Sequence, residues 1–222
     1  MAGAGSTKKT ALRGLGDTAS RELVELGRSV RALTDAMLRI DGAPGELVWA
    51  REQLDAVTAR LAQSARRHDT LRLGREGEPE DARPYYVDGV MLPAYHPLAA
   101  DFEIATDDGV TAGTVRFGVV FEGPPGCVHG GQVACFFDQI LGYHNLELGL
   151  PAMTASLRVQ YRKPTPLFER LDFDVRIREV DGRKIVVAGA LRSDGETVAE
   201  ADGLFVLPSA GISAQLASLV RP

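Results

Sequence analysis

The segment Val133–Tyr143 reads VACFFDQILGY, and it limits the fold more than any other stretch. Its bulky apolar residues fall on several sides of a helix of period 3.6, so the helix has to be covered rather than laid on a surface. The segments after it have a different period. Met153–Tyr161 alternates Met153, Ala155, Leu157, Val159 and Tyr161 with Thr154, Ser156, Arg158 and Gln160. Leu171–Arg178 alternates Leu171, Phe173, Val175 and Ile177 with charged neighbours. Period two marks half-buried strands. Further strands are predicted over 102–105, 111–120, 184–191 and 197–207, with turns at Asp181-Gly182 and Asp194-Gly195. The helix is predicted to begin after GPPGCVHGG and to end near Leu148. At about 1.5 Å per residue it spans nearly ~30 Å, the length of a strand of about nine residues at ~3.3 Å each. The economical packing is α+β: one long apolar helix wrapped by a curled antiparallel meander with one wet face.

The N-terminal third follows another rule. Residues 1–16 are small, polar and Gly-rich, and are predicted to be disordered. Over 17–73 a helical hairpin is expected. Leu23, Leu26, Val30, Leu33, Met37 and Ile40 recur at steps of three and four, Asp17 is a candidate N-cap, and DGAPG at 41–45 breaks the pattern. The second helix carries Leu47, Leu54, Val57 and Leu61 on one stripe. These stripes are expected to cover the main domain or a copy of themselves. A Gly-, Pro- and charge-rich linker is read over 74–84, the main domain over 85–209, and a tail over 210–222.

Charge excludes one class of partner. The chain of 222 residues has a net charge of −5, so no basic footprint for nucleic acid is present. Residues 1–80 hold 13 Lys/Arg against 12 Asp/Glu, whereas residues 81–222 hold 12 against 18. An anionic ligand of the main domain must therefore be met by local basic groups or backbone amides. Cys127 and Cys135 form no CxxC pair, and with His129 they match no zinc spacing, so neither a disulfide scaffold nor a metal site is expected. No apolar run reaches membrane-spanning length and MAGAGSTKKT lacks an apolar signal core, which predicts a cytoplasmic protein without a membrane span.

Chemistry concentrates in the apolar helix. Gly131, Ala134, Asp138, Gly142 and Asn145 recur along one side, a small face that leaves room for a ligand or another backbone. Asp138 is the only residue with a formal charge between His129 and Tyr143. It lies too deep in the helix to cap it, so it either serves a site or meets water or a neighbouring strand. GPPGCVHGG opens the helix. Gly130 and Gly131 let a ligand approach the backbone, and free amides at a helix start favour negative charge, whether a phosphate or an oxyanion formed in acyl transfer. A Pro/Gly tight turn with no ligand is the plain alternative.

HGGQVACFFDQILG at 129–142, followed by TASLRVQYRKPTPL at 154–167, resembles the hotdog-fold acyl-CoA thioesterases of the PaaI type over about residues 85–207. The resemblance implies a hotdog fold, here preceded by the helical hairpin, with acyl-CoA as substrate. It also implies a homodimer or homotetramer with active sites between protomers, and no cofactor. By position, Asp138 stands for the catalytic carboxylate and Gly130 for the amide that polarises the thioester carbonyl. Thr154 stands for the hydroxyl that holds the water or the carboxylate. His129 is a structural residue of the helix start or a base. Arg162 and Lys163 meet coenzyme A phosphates in this reading, or are merely solvated. Many members carry an Asn six residues before the histidine to position the water. Here that residue is Gly123, a departure that leaves the water-positioning group open.

The implied reaction is hydrolysis of an acyl-CoA to free acid and coenzyme A, with Asp138 as general base or as nucleophile. Two rivals stand beside it: a non-catalytic acyl-CoA binder or sensor, and a hotdog enoyl-thioester hydratase or dehydratase.

Overall fold

The structure, a computed structural model, describes residues 21–65 and 95–208. The predicted N-cap Asp17, the linker, the disordered start and the C-terminal tail lie outside the described residues. Two helices come first, α1 (Arg21–Arg39) and α2 (Pro44–Ala62). Then follow β1 (Asp101–Asp107), β2 (Val110–Arg116), a 3₁₀ turn at Val119–Phe121, α3 (Gly130–Glu147), β3 (Met153–Tyr161), β4 (Arg170–Asp181), β5 (Lys184–Ser193) and β6 (Glu196–Val206).

All six strands form one antiparallel sheet in the order β1-β2-β4-β5-β6-β3. Two-residue turns close its hairpins. Asp194 and Gly195 both have positive φ (49° and 79°), as the right-handed strand twist demands, and Gly182 does the same at 55°. Two sequence expectations are corrected. The run 111–120 is not one strand: β2 ends at Arg116, and the chain passes through Gly118 into the 3₁₀ turn. The last four strands are not a simple meander either. β4, β5 and β6 are, but β3 crosses to the far edge and pairs with β6. Its first four residues are all exposed.

The α3 helix fills the concave side. Val133, Phe136, Phe137, Ile140 and Leu141 are buried against Val115, Leu171, Phe173, Val175, Ile185, Val187, Leu191 and Phe205. Phe136 meets Phe117 and Phe173 edge to face, at centroid distances of 5.6 and 5.3 Å. Close approach needs small residues beneath the helix. A Cβ at Gly189 would lie 3.2 Å from Leu141 Cδ2, and one at Gly203 only 2.6 Å from Phe205 Cε2.

The two rims of the sheet differ. β1 exposes Asp101, Glu103 and Asp107. β3 exposes Met153, Thr154, Ala155, Ser156 and Tyr161, with Arg158 its single charge. The α1 helix docks through its small and polar face. Gly27 sits so close to the Tyr95 carbonyl that a Cβ there would lie 2.3 Å from the oxygen. Arg31 donates to the His96 carbonyl at 2.9 Å, and Arg39 lies 5.3 Å over the Phe168 ring. Its apolar stripe, including Leu26, Leu33, Met37 and Ile40, stays exposed, as do Leu47, Leu54, Val57 and Leu61 of α2.

Candidate active site

The entry to α3 is built by a turn and a cap. Pro125 and Gly126 form the centre of a turn in which the Cys127 N–H donates to the Pro124 carbonyl at 2.9 Å. Gly126 has φ 75°, as the second central position of a type II turn requires. The loop then lies along the segment before β4, where the Val128 N–H donates to the Thr165 carbonyl at 2.8 Å. His129 is the N-cap. Its Nδ1 accepts from the Gly131 N–H at 3.0 Å, and its own N–H donates to the Phe121 carbonyl at 2.8 Å. The helix therefore begins at Gly130, inside the motif. The Gly130 N–H has no hydrogen-bond partner among the described residues, so a donor aligned with the helix dipole is left for a ligand.

The glycines serve different ends. A Cβ at Gly131 would press on the His129 ring at 3.1 Å, so Gly131 protects the cap. At Gly130 a Cβ would meet nothing nearer than the Tyr161 ring at 3.5 Å, an ordinary contact. Nothing in the chain's own packing demands glycine there. Gly123 is pressed against His129, where a Cβ would lie 2.6 Å from the His129 Cα. An Asn at this position would not fit, so a side chain here cannot position water.

Asp138 is half-buried on the small face of α3, two turns beyond Gly130, and accepts no hydrogen bond among the described residues. Its neighbour one turn back is Cys135, whose thiol is pushed up first by burial and then by the charge of Asp138. Thr154 is exposed near the start of β3 and pairs with Phe205, where the register shifts between Thr154 and Ser156. Its partner Phe205 lies against the helix, the ring 3.9 Å from where a Gly142 Cβ would sit. Gly130 lies about 12 Å from Asp138 along the helix axis at ~1.5 Å per residue.

Arg162 and Lys163 sit just past β3, as an exposed pair bound to acids. Arg162 contacts Glu200 at 2.9 Å and Lys163 contacts Glu196. Among the described residues no group of three His, Cys, Asp or Glu could hold a metal, and no helix is long and apolar enough to cross a membrane.

Sequence reasoning missed Tyr161. It was legible only as an alternating strand residue, yet its hydroxyl donates to the Gly130 carbonyl at 2.8 Å. It also missed the polar interior beside the helix. His144 is fully buried and its Nδ1 lies 2.8 Å from Thr111 Oγ1, which in turn lies 2.7 Å from Thr106 Oγ1. Burial pushes the imidazole pKa down.

Comparison with known proteins agrees with this fold. The model of the thioesterase superfamily matches residues 125–200, which include the helix entry, α3 and β3. A solved structure described as a thioesterase superfamily protein superimposes with a TM-score of 0.70 at 33% identity, covering 85% of this chain and 96% of its own. Acyl-coenzyme A thioesterase THEM4 of Xenopus laevis is 35% identical over 91 residues, which is 40% of this chain and 41% of the relative. The same-named protein of Mus musculus is 35% identical over 98 residues, or 43% and 42%. The match thus spans about two fifths of the length of these curated relatives.

Proposed function

The chain belongs to the thioesterase superfamily, and from that premise we propose that it hydrolyses acyl-CoA thioesters to free acid and coenzyme A. The observation that carries this reading is an amide donor at Gly130 and a carboxylate, Asp138, both without a hydrogen-bond partner among the described residues, on one apolar helix. The similarity to the THEM4 acyl-CoA thioesterases supports the substrate class.

In this mechanism the thioester carbonyl oxygen points at the Gly130 N–H. Negative charge that develops on it as the tetrahedral intermediate forms is met by the amide and the helix dipole. Asp138 takes a proton from water as the water attacks the carbonyl carbon, or attacks directly, expelling the thiolate to give an acyl anhydride that water then hydrolyses to the free acid. Thr154 orients the water or the carboxylate. The C–S bond then breaks, and the thiolate of coenzyme A leaves without a metal or redox group. Arg162 and Lys163 follow Tyr161, whose hydroxyl reaches the Gly130 carbonyl, and in this reading would exchange their acid partners for coenzyme A phosphates.

A second copy of the chain completes the site in this reading. Gly130 and Asp138 are two turns apart on one helix, which favours Gly130 of one copy working with Asp138 of another. The β3 rim is the edge open to such pairing. Among the described residues no strand pairs with its outer side, and its nine residues carry one charge, whereas β1 is guarded by acids.

The test is thiol release from short, long and aromatic acyl-CoAs, with the products identified. Free thiol and acid, lost in Asp138→Asn, are expected. A changed acyl double bond without thiol would point to a hydratase. Binding without any product would point to a sensor, the reading kept open by the absence of a side chain at Gly123.

A further inference from the structure

Two successive glycines at a helix start give a ligand room, but they also give the backbone more freedom than any other pair of residues. An amide donor there is aimed only if something else holds it. Every backbone polar group around the Gly130 N–H is held. The His129 N–H donates to Phe121 at 2.8 Å, and the His129 carbonyl accepts from the Gln132 and Val133 N–H groups at 2.8 and 3.2 Å. The next peptide, between Gly130 and Gly131, is held at both ends. Its N–H donates to His129 Nδ1 at 3.0 Å, and its carbonyl accepts from the Tyr161 hydroxyl at 2.8 Å. The Tyr161 bond is the one restraint in this frame that comes from the sheet, from a residue 31 positions away. Its ring lies alongside as well, with Cε1, Cζ and the hydroxyl oxygen each 3.5 Å from the place a Gly130 Cβ would occupy.

We propose that Tyr161 is a positioning residue, whose hydroxyl locks the Gly130–Gly131 peptide so that the Gly130 N–H is aimed before substrate arrives. The inference rests on the reading of Gly130 as the oxyanion donor. A donor fixed in advance stabilises charge that appears only in the transition state, so loss of the lock lowers kcat rather than substrate affinity.

The experiment compares wild type, Tyr161→Phe and Tyr161→Leu as full chains. In Tyr161→Phe, which keeps the ring, kcat is expected to fall roughly three- to tenfold, the scale of one hydrogen bond, with KM changed less than about twofold. Hydrogen exchange of the Gly131 amide, followed by NMR, is expected to quicken at least about threefold, since that N–H shares the unlocked peptide. Tyr161→Leu should do no worse in kcat than about a further twofold. A wild-type kcat in Tyr161→Phe, a loss confined to KM, a loss seen only in Tyr161→Leu, or unchanged Gly131 exchange would each overturn the proposal. If the wild-type protein releases no thiol from any acyl-CoA, it is the functional reading that fails. Gly131 exchange then decides the lock by itself.

Discussion

The Nδ1 of His129 lies 3.0 Å from the amide nitrogen of Gly131 and accepts its hydrogen. A nitrogen that accepts this bond is unprotonated and is not free to take a proton from water, so His129 reads as a cap rather than a base. His129→Asn supplies another good capping acceptor but no base. It is expected to keep turnover within about threefold of wild type, while His129→Ala loses ~1 kcal/mol of stability, the usual worth of a cap. Thermal melting and thiol release measure the two. A hundredfold loss in a folded His129→Asn protein would return the base role to the histidine.

Asp138→Asn is isosteric and is expected to fold normally while turnover falls at least ~100-fold, the scale of a positioned acid or base. A second readout checks the charge itself. Because the carboxylate helps burial to raise the Cys135 thiol pKa, its removal should lower that pKa. Cys135 is then alkylated faster at a given pH in a Cys127→Ser background. Unchanged alkylation would show that Asp138 does not act on the Cys135 thiol.

Gly130→Ala should separate stability from activity. The added methyl meets only ordinary contact with Tyr161, and alanine is favoured over glycine in a helix by up to ~1 kcal/mol. The melting temperature is expected to hold or rise while turnover falls at least ~10-fold, because in the proposed mechanism the methyl would stand where the carbonyl approaches. Gly131→Ala instead crowds the cap and should lower both. Parallel losses in the two variants would make Gly130 a structural glycine.

His144 gives the fold an acid limit. Its folded pKa lies below the ordinary value of about 6.5 because burial disfavours the imidazolium. Between those two values the unfolded chain binds more protons than the native one, so stability falls as pH drops through about 6.5 and is fully present above it. Urea unfolding at pH 8, 7, 6 and 5 should show this decline, at up to ~1.4 kcal/mol per pH unit. The slope should be shallower in His144→Asn. Equal slopes would place the acid sensitivity elsewhere.

What could be read from the sequence was local. The apolar run Val133–Tyr143 and the alternation of Leu171–Arg178 led directly to α3 and β4, since each period is set by backbone geometry alone. The Asp-Gly turns gave the hairpins for the same reason. The place of β3 was not local: it follows α3 and precedes β4, yet pairs with β6, so reading successive strands as neighbours misplaced it. His129 was placed at the helix start only through the family resemblance, because Ser, Thr, Asp and Asn are the usual capping signals at that position. Tyr161 escaped because alternation says which face a side chain takes, not which carbonyl it finds 31 residues away. Arg162 and Lys163 were legible as cations, but not as partners of Glu200 and Glu196 across the strands.

The unlike rims of the sheet would also limit any assembly through its edges. Two copies joined at β3 would carry β1 at both outer ends, with Asp101, Glu103 and Asp107 repeated on each. A third copy adding its own β1 there would set acid against acid, and the one weakly charged edge would already be spent. In such a pair the same pattern of charge that leaves one edge open would end the ladder after two sheets, and would close it instead of letting it lengthen into a fibril.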